Sequence, residues 1–404
     1  MEKRWRQYGR LSGLIFCFVL LLAAGCQAAE PPAWPPESAG SAENRENGTV
    51  SDESERKTGQ QVPAQDPEPV VQLATLAAVG DVLLHRSILR DAAVGDTFDF
   101  RKMFAPVKPF LERADITVAN QESVMGGREL GLSGYPMFNS PFEIGDTLKW
   151  AGVDVVVMAN NHILDRGEKG IKNAIARWEQ LGLEYVGANK DAADRERLRL
   201  LERNGIVFSF LAYTYGTNGI PVPEGKAHLV DVIDRRRMQE DIARARTQSD
   251  VVVVNLHFGN EYERMPNDEQ RELVQFVADQ GAHVILGHHP HVLQPVEIVA
   301  SAMGHETFVV YSLGNFLAAQ DQVWRQLGGI LQLEVEKTVR GEAVDVRVHS
   351  PAFLPTYIHF KNWRGYIVLP LSEVTDDQLP GVRRYEDELR RHMGQYVPRL
   401  RWLD

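Results

Sequence analysis

The chain is poor in cysteine, and this absence limits the chemistry available to its main domain. Of the 404 residues only Cys17 and Cys26 carry a thiol, and both lie near the N-terminus. The sequence after Cys26 therefore forms no disulfide and offers no thiolate to a catalytic or zinc site. Its stability must come from an ordinary hydrophobic core, which a chain of this length can supply.

Positive charge is also in short supply. The sequence has 44 Lys and Arg against 55 Asp and Glu, with a formal net charge of −11. An acidic surface of this kind argues against nucleic acid as a partner. It also repels an anionic polymer, so binding such a polymer would require metal or clustered arginine to offset the repulsion locally.

The first 26 residues have the pattern of a bacterial lipoprotein signal. A basic segment of net charge +3 precedes an apolar core from Leu14 to Ala24, which is short for a membrane span. The core ends in Leu22-Ala-Ala-Gly-Cys26, so we expect Cys26 to become the lipidated first residue. This predicts a mature chain of charge −14 on the extracytoplasmic face of the cell membrane, held by its lipid anchor. An uncleaved N-terminal anchor is the alternative.

Composition divides the rest of the chain into three parts. Residues 27–69 are rich in Pro, Glu, Ser, Gln and Gly, which predicts a disordered tether. Residues 70–350 are predicted to form the main domain. Residues 351–404 are less regular and end in an Arg-rich, helix-like piece from Tyr385 to Tyr396. We interpret this last part as an appendage packed on the main domain.

Short apolar runs alternate with helical stretches in the main domain, which indicates a layered α/β fold. One predicted helix has apolar residues at helical spacing from Ile171 to Leu181 and is followed by Gly182, a residue placed to stop it. Another begins with Asn267 as N-cap and Gln270 at the capping-box position. The predicted strands include Leu73–Val79, Asp115–Ala119, Val153–Met158, Val251–Leu256 and Val284–Leu286.

Polar side chains collect where these strands end. The run Gly287-His288-His289-Pro290-His291 follows a buried strand, and its three imidazoles would compete for the same hydrogen-bond partners. A divalent cation removes that difficulty because it accepts neutral imidazole as a ligand. Carboxylate, imidazole and amide groups in one place favour manganese, iron or zinc, as one or two ions. The strand-end residues are Asp81, His85, Glu122, Asn160, Asn161, His162, His257, His288, His289 and His291.

Taken together, these motifs resemble the poly-gamma-glutamate capsule synthesis family, CapA, and occur in that family's order over roughly residues 73–320. The resemblance implies a calcineurin-like metallophosphoesterase fold, which is a four-layer α/β/β/α sandwich, and a link to cell-surface polymer. The motifs are Gly80-Asp81, Asn120-Gln-Glu122, Asn160-Asn-His162-Ile-Leu-Asp165, His257-Phe-Gly259-Asn-Glu261-Tyr262, Gly287-His-His-Pro-His291 and Tyr311-Ser-Leu-Gly-Asn-Phe316.

The same resemblance implies a role for each matched residue. His162 would be the general acid or anion stabiliser, and Asp165 would orient it. Six residues would bind metal: Asp81 on the first ion, Glu122 as the bridging carboxylate, Asn161 and His257 on the second ion, and His288 and His291 divided between the two.

The chain departs from the superfamily pattern at one ligand. Where metallophosphatases usually carry Asp-x-His, this sequence has Asp81-Val82-Leu83, and Leu83 cannot bind a cation. Full occupancy of the first metal, and with it a two-metal mechanism, therefore stays open. His85 is the nearest candidate, and we interpret it as a residue at the surface or behind the ligands.

Several neighbouring residues admit more than one role. Asp81 after a glycine could be a turn residue or a helix cap, and Glu122 could be a solvated carboxylate at a strand end. We interpret Asn160 and Asn315 as stabilising their loops and His289 as supporting the ligands from outside. Glu261 and Tyr262 either shape the pocket or contact the substrate.

These observations predict a membrane-anchored protein of capsule or poly-gamma-glutamate-type exopolymer biosynthesis with a metal-dependent, phosphoesterase-like hydrolase site. The substrate would be a phosphoester or the amide of the polymer. The alternative is a non-catalytic assembly or export component that binds metal and nascent polymer beside a membrane synthase. In either case the expected partners are the membrane, an anionic exopolymer or its precursor, and a membrane synthase complex.

Overall fold

The structure is a computed structural model, and it describes residues 68–403. The predicted signal peptide, the predicted lipidation site Cys26 and nearly all of the predicted tether lie outside the described residues. Within residues 68–403, no helix combines the length and the apolar character that crossing a bilayer requires.

The described residues form strands and helices in alternation. The strands are β1 (Val70–Val82), β2 (Ala93–Val94), β3 (Thr97–Phe98), β4 (Ile116–Gln121), β5 (Val155–Val157), β6 (Glu184–Val186), β7 (Arg199–Arg203), β8 (Ile206–Thr214), β9 (Val251–His257), β10 (Val284–His288), β11 (Leu293–Ala300), β12 (Glu306–Leu313), β13 (Asn315–Leu317), β14 (Leu327–Arg340), β15 (Ala343–Lys361), β16 (Arg364–Pro370) and β17 (Arg401–Trp402). The α-helices are α1 (Arg86–Ala92), α2 (Arg101–Phe104), α3 (Lys108–Leu111), α4 (Glu143–Trp150), α5 (Gly167–Leu181), α6 (Ala192–Glu196), α7 (Arg235–Arg246), α8 (Asp268–Gln280), α9 (Val323–Gln326) and α10 (Val382–Met393).

Two large sheets hold most of the strands. The first sheet has the order β16-β15-β14-β1-β4-β5-β6, with β13 paired to β1 and β17 paired to β15. Its strands β1, β4, β5 and β6 run parallel to one another, whereas β14 is antiparallel to β1. The second sheet has the order β11-β12-β10-β9-β8-β7, and β8, β9, β10 and β12 are parallel. Parallel strands alternating with helices are the arrangement that the sequence predicts.

Three apolar clusters define four layers. Alternate residues of β1 point to opposite sides: Ala77 and Val79 pack against helices α1 to α5, and Leu76 and Ala78 pack against the second sheet. On the far side of the second sheet, β9 residues such as Val252 pack against α7 and α8. Helix, sheet, sheet and helix therefore follow in order, which confirms the predicted α/β/β/α sandwich.

The predicted helix ends are also confirmed. Helix α5 ends at Gly182, which adopts the left-handed conformation with φ of 64°. Helix α8 begins after Asn267, and the reciprocal hydrogen bonds of Asn267 and Gln270 form the capping box. Local hydrogen bonding therefore determines both ends.

Part of the predicted C-terminal appendage belongs to the first sheet. Strand β15 runs through residue 350, where the sequence predicts a boundary, and pairs along its length with β14. Strand β16 then pairs with β15, and α10 packs its buried residues Leu389 and Met393 into the cluster between the sheets. Residues 351–370 thus extend a sheet of the main fold.

Two glycines allow backbone segments to meet directly beside the strand ends. A Cβ atom added at Gly80 would lie 1.9 Å from the carbonyl oxygen of Gly314, and one added at Gly287 would lie 2.0 Å from that of Tyr311. Because backbone cannot yield as a flexible side chain can, only glycine fits at these positions. The residues that follow them, Asp81 and His288, are placed by this close approach.

We expect Gly80→Ala to lower the free energy of unfolding by about 1–3 kcal/mol, because the added methyl group collides with backbone. Gly216→Ala is the matched control, since a Cβ at Gly216 meets nothing within 4 Å. Urea denaturation of the two variants and the parent protein measures the difference. Equal midpoints for Gly80→Ala and Gly216→Ala would show that the backbone contact is not tight.

Candidate metal centre

The predicted site residues come together where strands of both sheets end. Asp81 lies in β1 and Glu122 directly follows β4, its parallel neighbour. Asn161 lies in the turn after β5, and His257 ends β9. His257 is in register with His288, at the end of β10. The carboxyl ends of parallel strands of each sheet thus contribute to one site, the arrangement in which such sheets bind ligands.

Two histidines connect the carboxylates at the centre of the site. Nδ1 of His291 lies 3.0 Å from a carboxylate oxygen of Asp81, and Nε2 of His291 lies 3.7 Å from Oε1 of Glu122. Nε2 of His257 lies 3.7 Å from the same Glu122 oxygen and 3.0 Å from Oδ1 of Asn161. Side chains from both sheets therefore face Glu122.

An unusual backbone conformation turns two imidazoles of the histidine run toward this site. His289 and His291 have φ values of 98° and 57°, in the left-handed region that residues other than glycine rarely adopt. Hydrogen bonds hold the loop in place: Tyr262 N donates to the carbonyl of Pro290, and Asn315 Nδ2 donates to that of His291. Such a conformation persists where the surrounding structure fixes it and is frequent at functional sites.

Three overlapping groups of side chains have donor atoms within 4.8 Å of one another and could hold a metal ion. Glu122 belongs to two of the groups, consistent with a bridging carboxylate. His289 and Glu261 also belong to these groups, although the sequence analysis does not predict them as metal ligands. The groups are Asp81 with Glu122 and His291, Glu122 with His257 and His289, and Glu261 with His289 and His291. Below, "strand-end cluster" denotes Asp81, Glu122, Asn161, His257, His289 and His291.

Unpartnered buried atoms show that this donor set fits a divalent cation. Both carboxylate oxygens of Glu122 are buried without a hydrogen bond within the part of the chain described, as are Nδ1 of His257 and Nδ1 of His289. A buried polar atom without a partner costs free energy, and a buried carboxylate costs more. Oxygen and imidazole ligands are those that manganese, iron and zinc accept. The arrangement supplies what such an ion requires.

Burial keeps most of the histidines in the form that binds metal. It lowers the pKa of His257 well below its usual value, that of His288 to about 4 and that of His289 to about 3. These imidazoles are therefore neutral at pH 7, and neutral imidazole is the ligand form.

The pKa shifts of Glu122, Asp81 and His291 differ from those of the neutral histidines. Burial raises the pKa of Glu122 well above its ordinary value. For His291, burial opposes ionisation, but the charge of Glu122 and the hydrogen bond with Asp81 raise the pKa to about 9. Burial also opposes ionisation of Asp81, yet His291 lowers its pKa below the usual value. A positive charge beside these two carboxylates is thus favoured.

Other predicted residues lie close to the cluster without joining the three groups. His288 is fully buried, with Nδ1 3.8 Å from Asp81 Oδ1 and neither ring nitrogen hydrogen-bonded within residues 68–403. Its role as a ligand stays a prediction. Leu83 is buried in the apolar core. His85 stands before α1, with its Nδ1 3.0 Å from the carbonyl of Leu83, and contacts Phe138. It supports the loop rather than the cation site.

The predicted catalytic pair is in contact. Nδ1 of His162 lies 2.8 Å from Oδ2 of Asp165, and that oxygen also accepts a hydrogen bond from the backbone N–H of Phe138. The Phe138 ring packs edge-on against His162 at 4.7 Å between centroids. Asn160 fixes the turn, because its Oδ1 accepts from His162 N and its Nδ2 donates to Gln121 O. This agrees with the structural role expected of Asn160.

Three further residues at the site have contacts to which the sequence analysis assigns no role. Asn120 donates to Asp81 Oδ1 at 2.7 Å, and Asn218 contacts Asn161 at 3.2 Å. Tyr215, 47% exposed, packs its ring on His257 and His289. Tyr215 directly follows β8, so the strand-end rule that identifies the others could have found it. Asn218 lies in an irregular loop, where neither periodicity nor spacing marks it.

Comparison with known proteins identifies one family over most of the folded part. The profile of the family described as "Bacterial capsule synthesis protein PGA_cap" matches residues 75–320. The chain is 28% identical over 289 residues to "PGA biosynthesis protein CapA" of Bacillus subtilis, covering 69% of this chain and 72% of that protein. It is 29% identical over 266 residues to "Capsule biosynthesis protein CapA" of Bacillus anthracis, covering 62% of this chain and 60% of that one.

A solved structure was also found at lower similarity. The Haemophilus influenzae NAD nucleotidase NadN aligns with 12% identity and a TM-score of 0.43, covering 83% of this chain and 57% of that one.

We expect His291→Ala to weaken Mn²⁺ binding at least about 100-fold, because even residues that only support a ligand often contribute 10–100-fold to affinity. His349→Ala is the control, since His349 lies outside the strand-end cluster and beside Glu334. Calorimetric titration of Mn²⁺ into the chelator-treated proteins, with metal content by elemental analysis, measures both. Mn²⁺ affinity that is unchanged in His291→Ala would contradict the assignment.

Proposed function

The chain belongs to the family of bacterial capsule synthesis proteins, and we propose that it acts in exopolymer synthesis as a metal-dependent, phosphoesterase-like hydrolase. The proposal rests on the strand-end cluster. Its side chains converge, and several of their buried polar atoms have no hydrogen bond within the described chain. Structural zinc sites favour cysteine, whereas a site of carboxylate, amide and imidazole is more often catalytic.

The strand-end cluster would hold one or two ions of manganese, iron or zinc. Asp81 and His291 would bind on one side of Glu122, and Asn161, His257 and His289 on the other. When bound, the metal would polarise a phosphoryl or carbonyl oxygen and lower the pKa of water. The side chains of the cluster are buried at the ends of two packed sheets, which would hold them in position for a bound substrate.

His162 would deliver a proton to the leaving group. Its Nδ1 is occupied by Asp165, which fixes the ring orientation and stabilises the charged imidazolium. Its Nε2 makes no hydrogen bond within residues 68–403, and this leaves it available to a substrate oxygen. Asp165 is itself held by the backbone N–H of Phe138, so the pair keeps its geometry as the proton moves.

The substrate class follows from the relatives and stays a proposal. Two relatives are named for the biosynthesis of PGA or of capsule, which suggests a phosphoester precursor of such a polymer or the polymer's own amide. The lipid anchor predicted at Cys26 would place the site beside the cell membrane, on its extracytoplasmic face. There it would meet nascent polymer and a membrane synthase.

We expect His162→Ala to lower kcat for bis-p-nitrophenyl phosphate about 10²–10⁴-fold, the usual contribution of a general acid. Mn²⁺ content should stay at the parent level, because His162 is outside the three donor groups. His349→Ala should keep both activity and metal. A parent protein that carries Mn²⁺ but hydrolyses neither phosphomonoester nor phosphodiester would overturn the hydrolase proposal and favour the assembly role.

Labelling with a tagged fatty acid tests the anchor. We expect the parent protein and Cys17→Ser to take up the label, because Cys17 lies inside the apolar core of the signal, and Cys26→Ser to take up none. Fluorescence of the immunoprecipitated protein measures incorporation. Absence of label from the parent protein, with residues 1–25 still attached by mass spectrometry, would support the uncleaved anchor instead.

A further inference from the structure

The guanidinium of Arg325 lies beside the strand-end cluster. Arg325 belongs to the short helix α9, and its Cζ stands 3.5 Å from the centroid of the Tyr262 ring. The same ring lies 6.1 Å from the imidazole of His291, centroid to centroid. Tyr262 therefore contacts a ligand of the cluster and a cation at once.

Arg325 has no anionic partner within the part of the chain described. None of the ion pairs of residues 68–403 includes it, and its Nε is buried without a hydrogen bond. Arg264 provides the contrast: it is stacked at the same 3.5 Å on Trp324, yet it forms an ion pair of 2.7 Å with Glu388.

Hydrogen bonds tie Arg325 to the metal-binding loop. Nδ2 of Asn315 donates to the backbone carbonyl of Arg325 at 2.9 Å and also to that of His291 at 3.3 Å. Tyr262 N donates at 2.7 Å to the carbonyl of Pro290 in the same loop. The guanidinium, the ring below it and the ligand His291 therefore keep a fixed spacing, as a two-point binding site requires.

We infer that Arg325 binds a second anionic group of the substrate, a carboxylate or a phosphate, while the group to be cleaved lies at the strand-end cluster. This rests on the proposed function. A guanidinium stacked by its face keeps its N–H edge free, and that edge matches two oxygens of one anion. The substrate would then be an oligoanion with repeated charges, and Arg325 would offset part of the protein's own negative charge.

Calorimetric binding to the Mn²⁺-loaded full-length protein in detergent tests the inference. Two probe pairs distinguish the source of the anion: a glutamate tetramer with the glutamine tetramer, and propane-1,3-diol bisphosphate with its monophosphate. For at least one pair, we expect Arg325→Gln to weaken binding of the probe that carries the second anion about tenfold or more. Binding of the partner probe should change little. The pair that responds identifies carboxylate or phosphate.

Two further variants keep the result interpretable. Arg325→Lys should recover part of the affinity, because it restores the charge without the planar fork. Arg271→Gln, which removes an arginine stacked on Tyr396 and paired with Glu297, should bind as the parent does. Equal affinity of Arg325→Gln and the parent for every probe would overturn the inference, as would equal losses within each pair.

The outcome separates this inference from the proposed function. If the protein lacks phosphoesterase activity but Arg325 still increases the affinity for probes with a second anion, the hydrolase proposal is overturned and the anion site is kept. If the protein hydrolyses bis-p-nitrophenyl phosphate but no probe binding depends on Arg325, the anion site is overturned and the hydrolase proposal is kept. If Arg325→Gln fails to fold, Arg325→Met takes its place, because it also removes the charge: a tenfold loss of the probe with the second anion supports the inference, and parent-like affinities overturn it.

Discussion

A buried carboxylate without hydrogen bonds is the constraint on which the site depends. Glu122 is fully buried, and neither of its oxygens accepts a hydrogen bond within residues 68–403. Such a group is costly in an apolar interior unless positive charge compensates it. His291 supplies some of that charge, and the remaining neighbours are imidazoles that burial keeps neutral. Both sheets, the strained histidine loop and the glycine contacts serve to bring these groups to one carboxylate.

Strand ends were the part of the site that the sequence could predict. Apolar runs that stop at Asp81, Glu122, Asn161 and His257 mark parallel strands, whose carboxyl ends meet at one edge of a sheet. The structure divides them between two sheets, with Asp81, Glu122 and Asn161 on the first and His257 on the second. The four layers follow from the alternation of strands and helices, and the ends of α5 and α8 follow from capping residues. For the two helix ends, the deciding hydrogen bonds lie within a few residues of chain.

What the sequence could not supply is conformation set by distant contacts. His289 is turned toward the cluster by a left-handed backbone conformation. Asn315 and Tyr262, from other parts of the chain, hold this loop by hydrogen bonds. Arg325 lies more than thirty residues from the histidine run and has no motif around it. The assignment of residues 351–370 to the first sheet likewise depends on pairing with β14, because the sequence there is irregular.

The position of β1 has a mechanical consequence. The folded part is joined to the preceding residues through Val70, and β1 lies inside the first sheet, between β14 and β4. Its hydrogen-bonded pairing with β14 runs from Val70 opposite Val339 to Val79 opposite Ile330. A force on Val70 directed along the strand axis would load those hydrogen bonds in shear, all together. The domain is thus joined to the preceding residues through a central strand with many hydrogen bonds, while Asp81 lies near the opposite end of that strand.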